Sequence, residues 1–176
     1  MLVFGDYVFI PFAFSVQCHY LIGYPDYESP LVSILPIIVL YLIGYYIFRE
    51  SNSQKNQFKT NPSLEIWGKK PETVDGKLLV SGFWGLGRHM NYTGDLIMAF
   101  CYCVPCGLQF GGYFYAIYLF ILLTHRAYRD DTKCRSKYKD IWGTYTKKVP
   151  HVFIPFEPID FVLRSIGKVL YTITNK

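Results

Sequence analysis

No lysine or arginine occurs before Arg49, and all 18 basic residues of this 176-residue chain lie from there onward. Charge is scarce overall, at 18% of residues, where globular chains average about 25%. Membrane segments hold their basic residues on the cytoplasmic flank, so this gap points to a bilayer. The start also lacks a basic n-region, and no small-residue cleavage site follows it, which favours a span over a cleaved leader. A net charge of +5 forms no continuous basic stripe, so nucleic acid is not expected as a partner. Five cysteines give no disulfide framework, and Cys101, Cys103 and Cys106 (CYCVPC) have no second pair or adjacent His to complete a zinc site. No metal is expected. There is no P-loop, no G-x-S-x-G, no H-E-x-x-H and no recognisable pair of carboxylates.

Apolar and aromatic sequence fills the space left by charge, at 51% and 19% of residues. Residues 1–22 read as a first span, with Asp6 either in the headgroup layer or in lipid, where a carboxylate is expensive and often functional. An acidic, turn-rich loop, GYPDYESP, follows. Leu31 to Phe48 is uncharged and close to the roughly 20 residues a helix needs to cross a bilayer. Tyr45, Tyr46 and Phe48 before Arg49 form an aromatic belt at a cytoplasmic interface. The polar stretch Arg49 to Lys77 is either a solvated connector or a source of lysines for a phosphate-bearing ligand.

Gly94 to Phe110 and Tyr113 to Thr124 are two further apolar segments, turned by Gln109, Gly111 and Gly112. Both flanks of the pair are basic, which predicts a helical hairpin with its ends in the cytoplasm. The second helix is expected to continue from His125 to Ile141, since Gly and Pro return only at Gly143 and Pro150. Asp130, Cys134 and Lys137 or Tyr138 would then share one face, with Tyr145 a turn beyond Trp142 if the helix survives Gly143. Apolar residues from Ile159 to Ile173 recur at helical spacing, predicting an amphipathic tail that lies on the membrane or packs back on the domain. Three regions result: two spans with an acidic loop over 1–48, a ligand-binding membrane domain over 49–158, and a tail over 159–176.

The densest chemistry lies in LLVSGFWGLGRHMNYTGD, residues 78–95. Gly82, Gly85 and Gly87 read G-x-x-G-x-G rather than the dinucleotide fingerprint, with no strand expected before them, so a Rossmann unit is rejected. They let backbone approach a ligand or a neighbouring helix. Arg88 and His89 bind phosphate or anchor at the interface; Asn91 and Tyr92 hydrogen-bond a ligand or cap the following helix. Joined with Arg126, Arg129, Asp130 and Lys137, they place basic and hydrogen-bonding groups at one cytoplasmic mouth, where Trp84 or a Tyr would stack on a ring.

SGFWGLGRHMNYTGDL, YFYAIYLFILLTHRAYRDDTKCRSKY and the W-x-x-Y of WGTY with the following VP together resemble the C-terminal half of the sterol reductases. The context GDYVFIP, GYYIFR and QKNQFK extends the resemblance over roughly Gly5 to Phe156, nearest to the branch acting on delta(5,7)-sterols. It implies an all-α, multi-pass membrane helix bundle of the endoplasmic reticulum with a cytoplasm-facing cofactor pocket. It also implies NADPH-dependent reduction of a sterol ring double bond, here the 7,8 bond. By matching position, the NADPH contacts would be Lys55, Lys59, Leu79, Trp84, Asn91, Tyr92, Asp130, Cys134, Arg135, Ser136, Lys137, Tyr138 and Tyr145. The proton donor would be Asp130, Tyr138 or Tyr92. The expected partners are a sterol, the lipid bilayer and the family's N-terminal spans, from a missing segment or a partner chain.

Lys139 stands where the family usually has Gly, Lys59 where it has Arg, and His151-Val152 where it has Tyr-Arg. Two other classes share part of the pattern. An isoprenylcysteine-type methyltransferase would use S-adenosylmethionine at an Arg-His and Asn/Tyr-Tyr-x-Gly motif, and a membrane scaffold or remnant would use no cofactor.

Overall fold

The structure, a computed structural model, describes residues 10–23, 31–107, 110–153 and 157–174. Asp6, most of the acidic loop and Gln109 lie outside the described residues. Helix α1 spans Ile10–Ile22 and α2 spans Leu31–Thr60. A two-stranded antiparallel pair follows, β1 (Thr73–Val74) and β2 (Leu78–Leu79). Next come α3 (Phe83–Leu86), α4 (Met90–Cys103), α5 (Phe114–Tyr138), α6 (Asp140–Lys148) and α7 (Glu157–Thr174).

The expected all-α bundle is therefore mostly helical with one small hairpin, and a short strand does precede the glycine run. The hairpin turns at Asp75 and Gly76, both with positive φ (55° and 66°). Asp-Gly is a pair that tolerates this geometry. The pairing is antiparallel, so no βαβ unit arises.

Arg49 to Thr60 is helix rather than loop, because α2 runs on past its apolar half until Asn61 and Pro62. Among the described residues α2 is the one helix long and apolar enough to cross a membrane, with a mean hydropathy of 1.5. Leu35, Ile38, Val39, Leu42, Ile43 and Tyr46 on its apolar half are all exposed, a surface that soluble monomers rarely show.

The hairpin of α4 and α5 forms as expected: Ala99 and Cys103 pack with Tyr115, while Tyr92 packs with Leu123 and Ala127. The first helix is shorter than the apolar segment, however. It gives way at Val104–Cys106 to a 3₁₀ turn around Pro105, since proline cannot continue the α-helical ladder. Cys101, Cys103 and Cys106 are buried free thiols in this region.

Helix α2 crosses α4 closely at Gly44 and Gly94. A Cβ on Gly94 would lie 2.6 Å from both the Gly44 carbonyl oxygen and the Phe48 nitrogen. The long helix α5 stops earlier than the breaker pattern predicts, at Lys139, which adopts φ 48° and ψ −119°. Helix α6 then passes through Gly143, placing Trp142 and Tyr145 in the core with ring centroids 5.0 Å apart. The tail packs back on the domain: Tyr171 of α7 lies 5.3 Å from the Tyr128 ring of α5, with Gly167 against Tyr128.

Candidate functional site

The glycine run is fixed from the polar C-terminal end of α2. The fully buried Gln54 accepts a hydrogen bond from the Phe83 N–H through Oε1 at 3.0 Å. The Trp84 indole N–H donates to the Ser51 carbonyl at 2.8 Å. Gly82 sits at φ 60°, and a Cβ there would collide with Gln54, so the glycine serves the close approach of chain to α2. One turn further on, the Arg88 and His89 N–H groups bond the carbonyls of His151 and Val152 at 3.0 and 2.9 Å. These bonds clamp the start of α4 between α2 and the segment after α6.

A cavity of about 380 Å³ opens where these elements meet α5. Its walls include Lys55, Lys59, Leu79, Trp84, Asn91, Tyr92, Asp130, Cys134, Tyr138 and Tyr145. The sequence motifs therefore converge from α2, β2, α3, α4, α5 and α6. Arg135, Ser136 and Lys137 do not line it: all three are exposed on the next part of α5, where Arg135 pairs with Asp131 at 3.3 Å and Lys137 lies 5.1 Å over the Tyr138 ring. Of the face expected from helical spacing, Asp130, Cys134 and Tyr138 reach the cavity and Lys137 does not.

Lys133, Phe58 and Trp142 also line it and were not singled out as site residues from the sequence; Lys77, which lines it too, was offered only among the lysines of the polar stretch. Lys77 arrives through the Asp-Gly turn, and Asp75 holds its ammonium at 2.8 Å. Lys133 is three residues after Asp130, a spacing that puts both on one helical face.

The electrostatics are cationic with neutral hydrogen-bonding groups between. Lys55 Nζ lies 4.2 Å over the Trp84 ring, and Arg126 lies 5.7 Å from the Tyr92 centroid. Burial pushes Tyr145 up to about 12, against the pull of the Arg88 cation. Burial also raises the Cys134 thiol, helped by Asp130 and Asp131, so it lines the cavity uncharged. His89 is lowered to about 3, first by burial and then by the Arg88, Lys55 and Arg126 cations. It is a neutral imidazole stacked 4.9 Å from Tyr92. The Tyr92 hydroxyl donates to Asp130 Oδ2 at 3.3 Å.

Among the described residues, two buried polar atoms on this wall have no protein partner, Asn91 Oδ1 and Trp142 Nε1. Unpartnered buried groups cost about 1–3 kcal/mol each, and a ligand with a donor for the amide and an acceptor for the indole would satisfy both. Four lysines beside them suit phosphate. The residues present therefore fit a phosphate-bearing cofactor with hydrogen-bonding rings.

Residues 1–157 match the Ergosterol biosynthesis ERG4/ERG24 family, and the chain belongs to that family of sterol reductases. It is 48% identical to a Delta(14)-sterol reductase of Arabidopsis thaliana over 157 residues, 89% of this chain and 42% of that protein. It is 43% identical to a 7-dehydrocholesterol reductase of Xenopus laevis over 165 residues, 86% of this chain and 35% of the relative. A Delta(14)-sterol reductase of Schizosaccharomyces pombe is 47% identical over 89% of this chain and 38% of its own length. The chain thus spans about two fifths or less of the curated relatives it matches.

Proposed function

We propose that this chain forms the NADPH-binding part of a membrane-bound sterol reductase that saturates a ring double bond during sterol biosynthesis. The carrying observation is that the family's chain, in this structure, gathers four lysines and the unpartnered Asn91 and Trp142 atoms around one cavity. Lys55, Lys59, Lys77 and Lys133 would hold the phosphates, Asn91 an amide or ribose, and Trp84 and Tyr138 the rings. Arg135, Ser136 and Lys137 are assigned to the rim of the site. Bound there, the cofactor supplies a hydride. Among the three candidate acids, Tyr92 and Asp130 are hydrogen-bonded to each other; the pair holds a proton at the cavity wall and is assigned its delivery.

Helix α2 is assigned as a span, with the α4–α5 hairpin and α1 completing a multi-pass arrangement in the endoplasmic reticulum and the cavity facing the cytoplasm. A sterol in the bilayer would then meet a water-soluble reductant at one mouth. The sequence resemblance points to the 7,8 bond of a delta(5,7)-sterol. Several relatives are named Delta(14)-sterol reductase instead, so both substrates belong in the assay.

The test is equilibrium binding of NADPH to the purified chain in neutral detergent, with Asn91→Leu and Lys133→Glu alongside. Saturable binding, weakened tenfold or more by each variant, is the expected result. Absence of binding, or displacement of NADPH by S-adenosylmethionine, would defeat the reading. Membranes holding the chain are then given delta(14)- and delta(5,7)-sterols with NADPH. Loss of the conjugated-diene absorption reports turnover of the second, and sterol analysis reports the first. Binding without either conversion would leave the chain a cofactor-holding role without catalysis.

A further inference from the structure

A second cavity, of about 370 Å³, lies on the other side of Arg88 and His89, between α5, α7 and the segment after α6. Its lining divides by chemistry. One part is apolar, with Ala127, Val152 and Phe153; the other carries Arg88, Arg135, Lys147 and Lys168, with Asp131 the one lining carboxylate among the described residues. Thr124 also lines it. That residue is 2% exposed, and its hydroxyl has no hydrogen-bond partner among the described residues. A buried hydroxyl left unpaired is costly and marks a place for a polar ligand atom.

The depth of this cavity along α5 narrows the choice of ligand. Thr124 closes the apolar part of the helix, and His125, Arg126 and Arg129 begin its polar part. If α2 and the hairpin cross a bilayer, the cavity straddles the level of lipid phosphates. A free phosphate would need no apolar wall, and a zwitterionic or neutral lipid would need no excess of cations. The cytoplasmic leaflet carries anionic lipids, and basic groups near its surface are attracted to them. We propose that this cavity is a binding site for an anionic phospholipid. Its phosphate sits between Arg135, Lys147 and Lys168, its acyl end lies against Val152 and Phe153, and an ester or glycerol oxygen meets Thr124.

The site depends on α7 staying docked. Gly167 makes that possible, since a Cβ there would come within 2.9 Å of the Tyr128 Cβ. The inference rests on the membrane reading above but not on the reductase chemistry.

The experiment uses the full chain in neutral detergent, titrated with dioctanoyl phosphatidic acid, dioctanoyl phosphatidylcholine or inorganic phosphate, and read by thermophoresis. The expected result is saturable binding of phosphatidic acid at least tenfold tighter than either comparator. Lys168→Glu should weaken it about tenfold, and Thr124→Val several-fold, with the thermal unfolding of the ligand-free chain little changed by Lys168→Glu. Equal binding of phosphatidylcholine, equal binding of inorganic phosphate, or full binding by Lys168→Glu would overturn the lipid site. Flotation with neutral phosphatidylcholine vesicles tests the membrane reading separately. Failure to float would overturn both, whereas flotation without a preference for phosphatidic acid would overturn the lipid site alone.

Discussion

Arg88 donates to Asp131 across 2.8 Å, joining the start of α4 to the middle of α5 in the partition between the two cavities. Arg88 is 8% exposed and Asp131 23%, so the pair is largely removed from water. Breaking such a pair leaves one charge uncompensated, which costs about 3–5 kcal/mol when fully buried. Asp131→Asn should therefore lower stability by roughly 3 kcal/mol at the outside, given the partial exposure of the carboxylate. The exposed partner Arg135 bonds the same carboxylate, and Arg135→Leu should cost under about 1 kcal/mol. Thermal unfolding of both variants in detergent checks the contrast; equal effects would show that the Arg88 pair has no special weight.

His89 makes stability depend on pH. Its pKa falls from an ordinary 6.5 to about 3 in the folded chain, through burial and the neighbouring cations. Between these values the unfolded state binds the extra proton, so stability rises with pH. The contribution is fully present above 6.5 and is lost as pH falls toward 3. His89→Phe keeps a flat ring against Tyr92 and removes the titration. Across pH 6.5 to 4 the slope of unfolding free energy should drop by up to one proton, about 1.4 kcal/mol per pH unit. Identical slopes for the two proteins would contradict the assignment.

At Lys139 the backbone holds φ 48° and ψ −119°, a conformation glycine adopts freely and residues with a Cβ do not. The sequence resemblance marks the same position as one where Gly is usual. Lys139→Gly should raise stability by about 1 kcal/mol, seen as a higher unfolding temperature. A fall would mean that the lysine side chain offsets the strain.

Much of this was legible in the residues. The uncharged run before Arg49 located the apolar half of α2, the one helix among the described residues long and apolar enough to cross a membrane, and the polar motifs around Trp84, Asn91 and Asp130 located the first cavity. What escaped was set by contacts between distant parts of the chain. Lys139 breaks a helix that local propensity would continue to Ile141, and no breaker residue announces it. Arg135, Ser136 and Lys137 follow Cys134 in sequence, but the helical turn carries them off the cavity face. Asp75-Gly76 did carry a turn signal, and recognising it would have brought Lys77 to the site. Of the second cavity the motifs offered Arg88, His89 and Pro150 but not the site, because its lining is brought together by α7 docking on α5.

The approach of α2 to α4 gives a packing prediction. Ala at position 94 would put its Cβ 2.6 Å from the Gly44 carbonyl oxygen and the Phe48 nitrogen. Both are backbone atoms, so no side-chain rotation relieves the contact. Gly94→Ala should destabilise by about 1–3 kcal/mol, the range for overpacking a filled contact. It should also weaken NADPH binding by displacing Asn91 from Asn52, whose Oδ1 lies 3.4 Å from Asn91 Nδ2. Unchanged unfolding would show that the helices separate without cost.

Tyr92 packs α4 against α5, and under the proposed function it also acts with Asp130 on the chemistry. The hydroxyl of one donates to the carboxylate of the other at 3.3 Å, on the wall that also holds Asn91 and Tyr138. A proton donor positioned in this way contributes about 10²–10⁴-fold to a rate. In a preparation that reduces a sterol, Tyr92→Phe should cut turnover by about that factor. NADPH affinity should change less than threefold, because the lysines and Asn91 are untouched. Asp130→Asn should also lower turnover, since it removes the carboxylate that accepts the phenol hydrogen bond and positions Tyr92. A Tyr92→Phe enzyme with full turnover would remove the pair from the reaction and leave Tyr138 as the acid to examine.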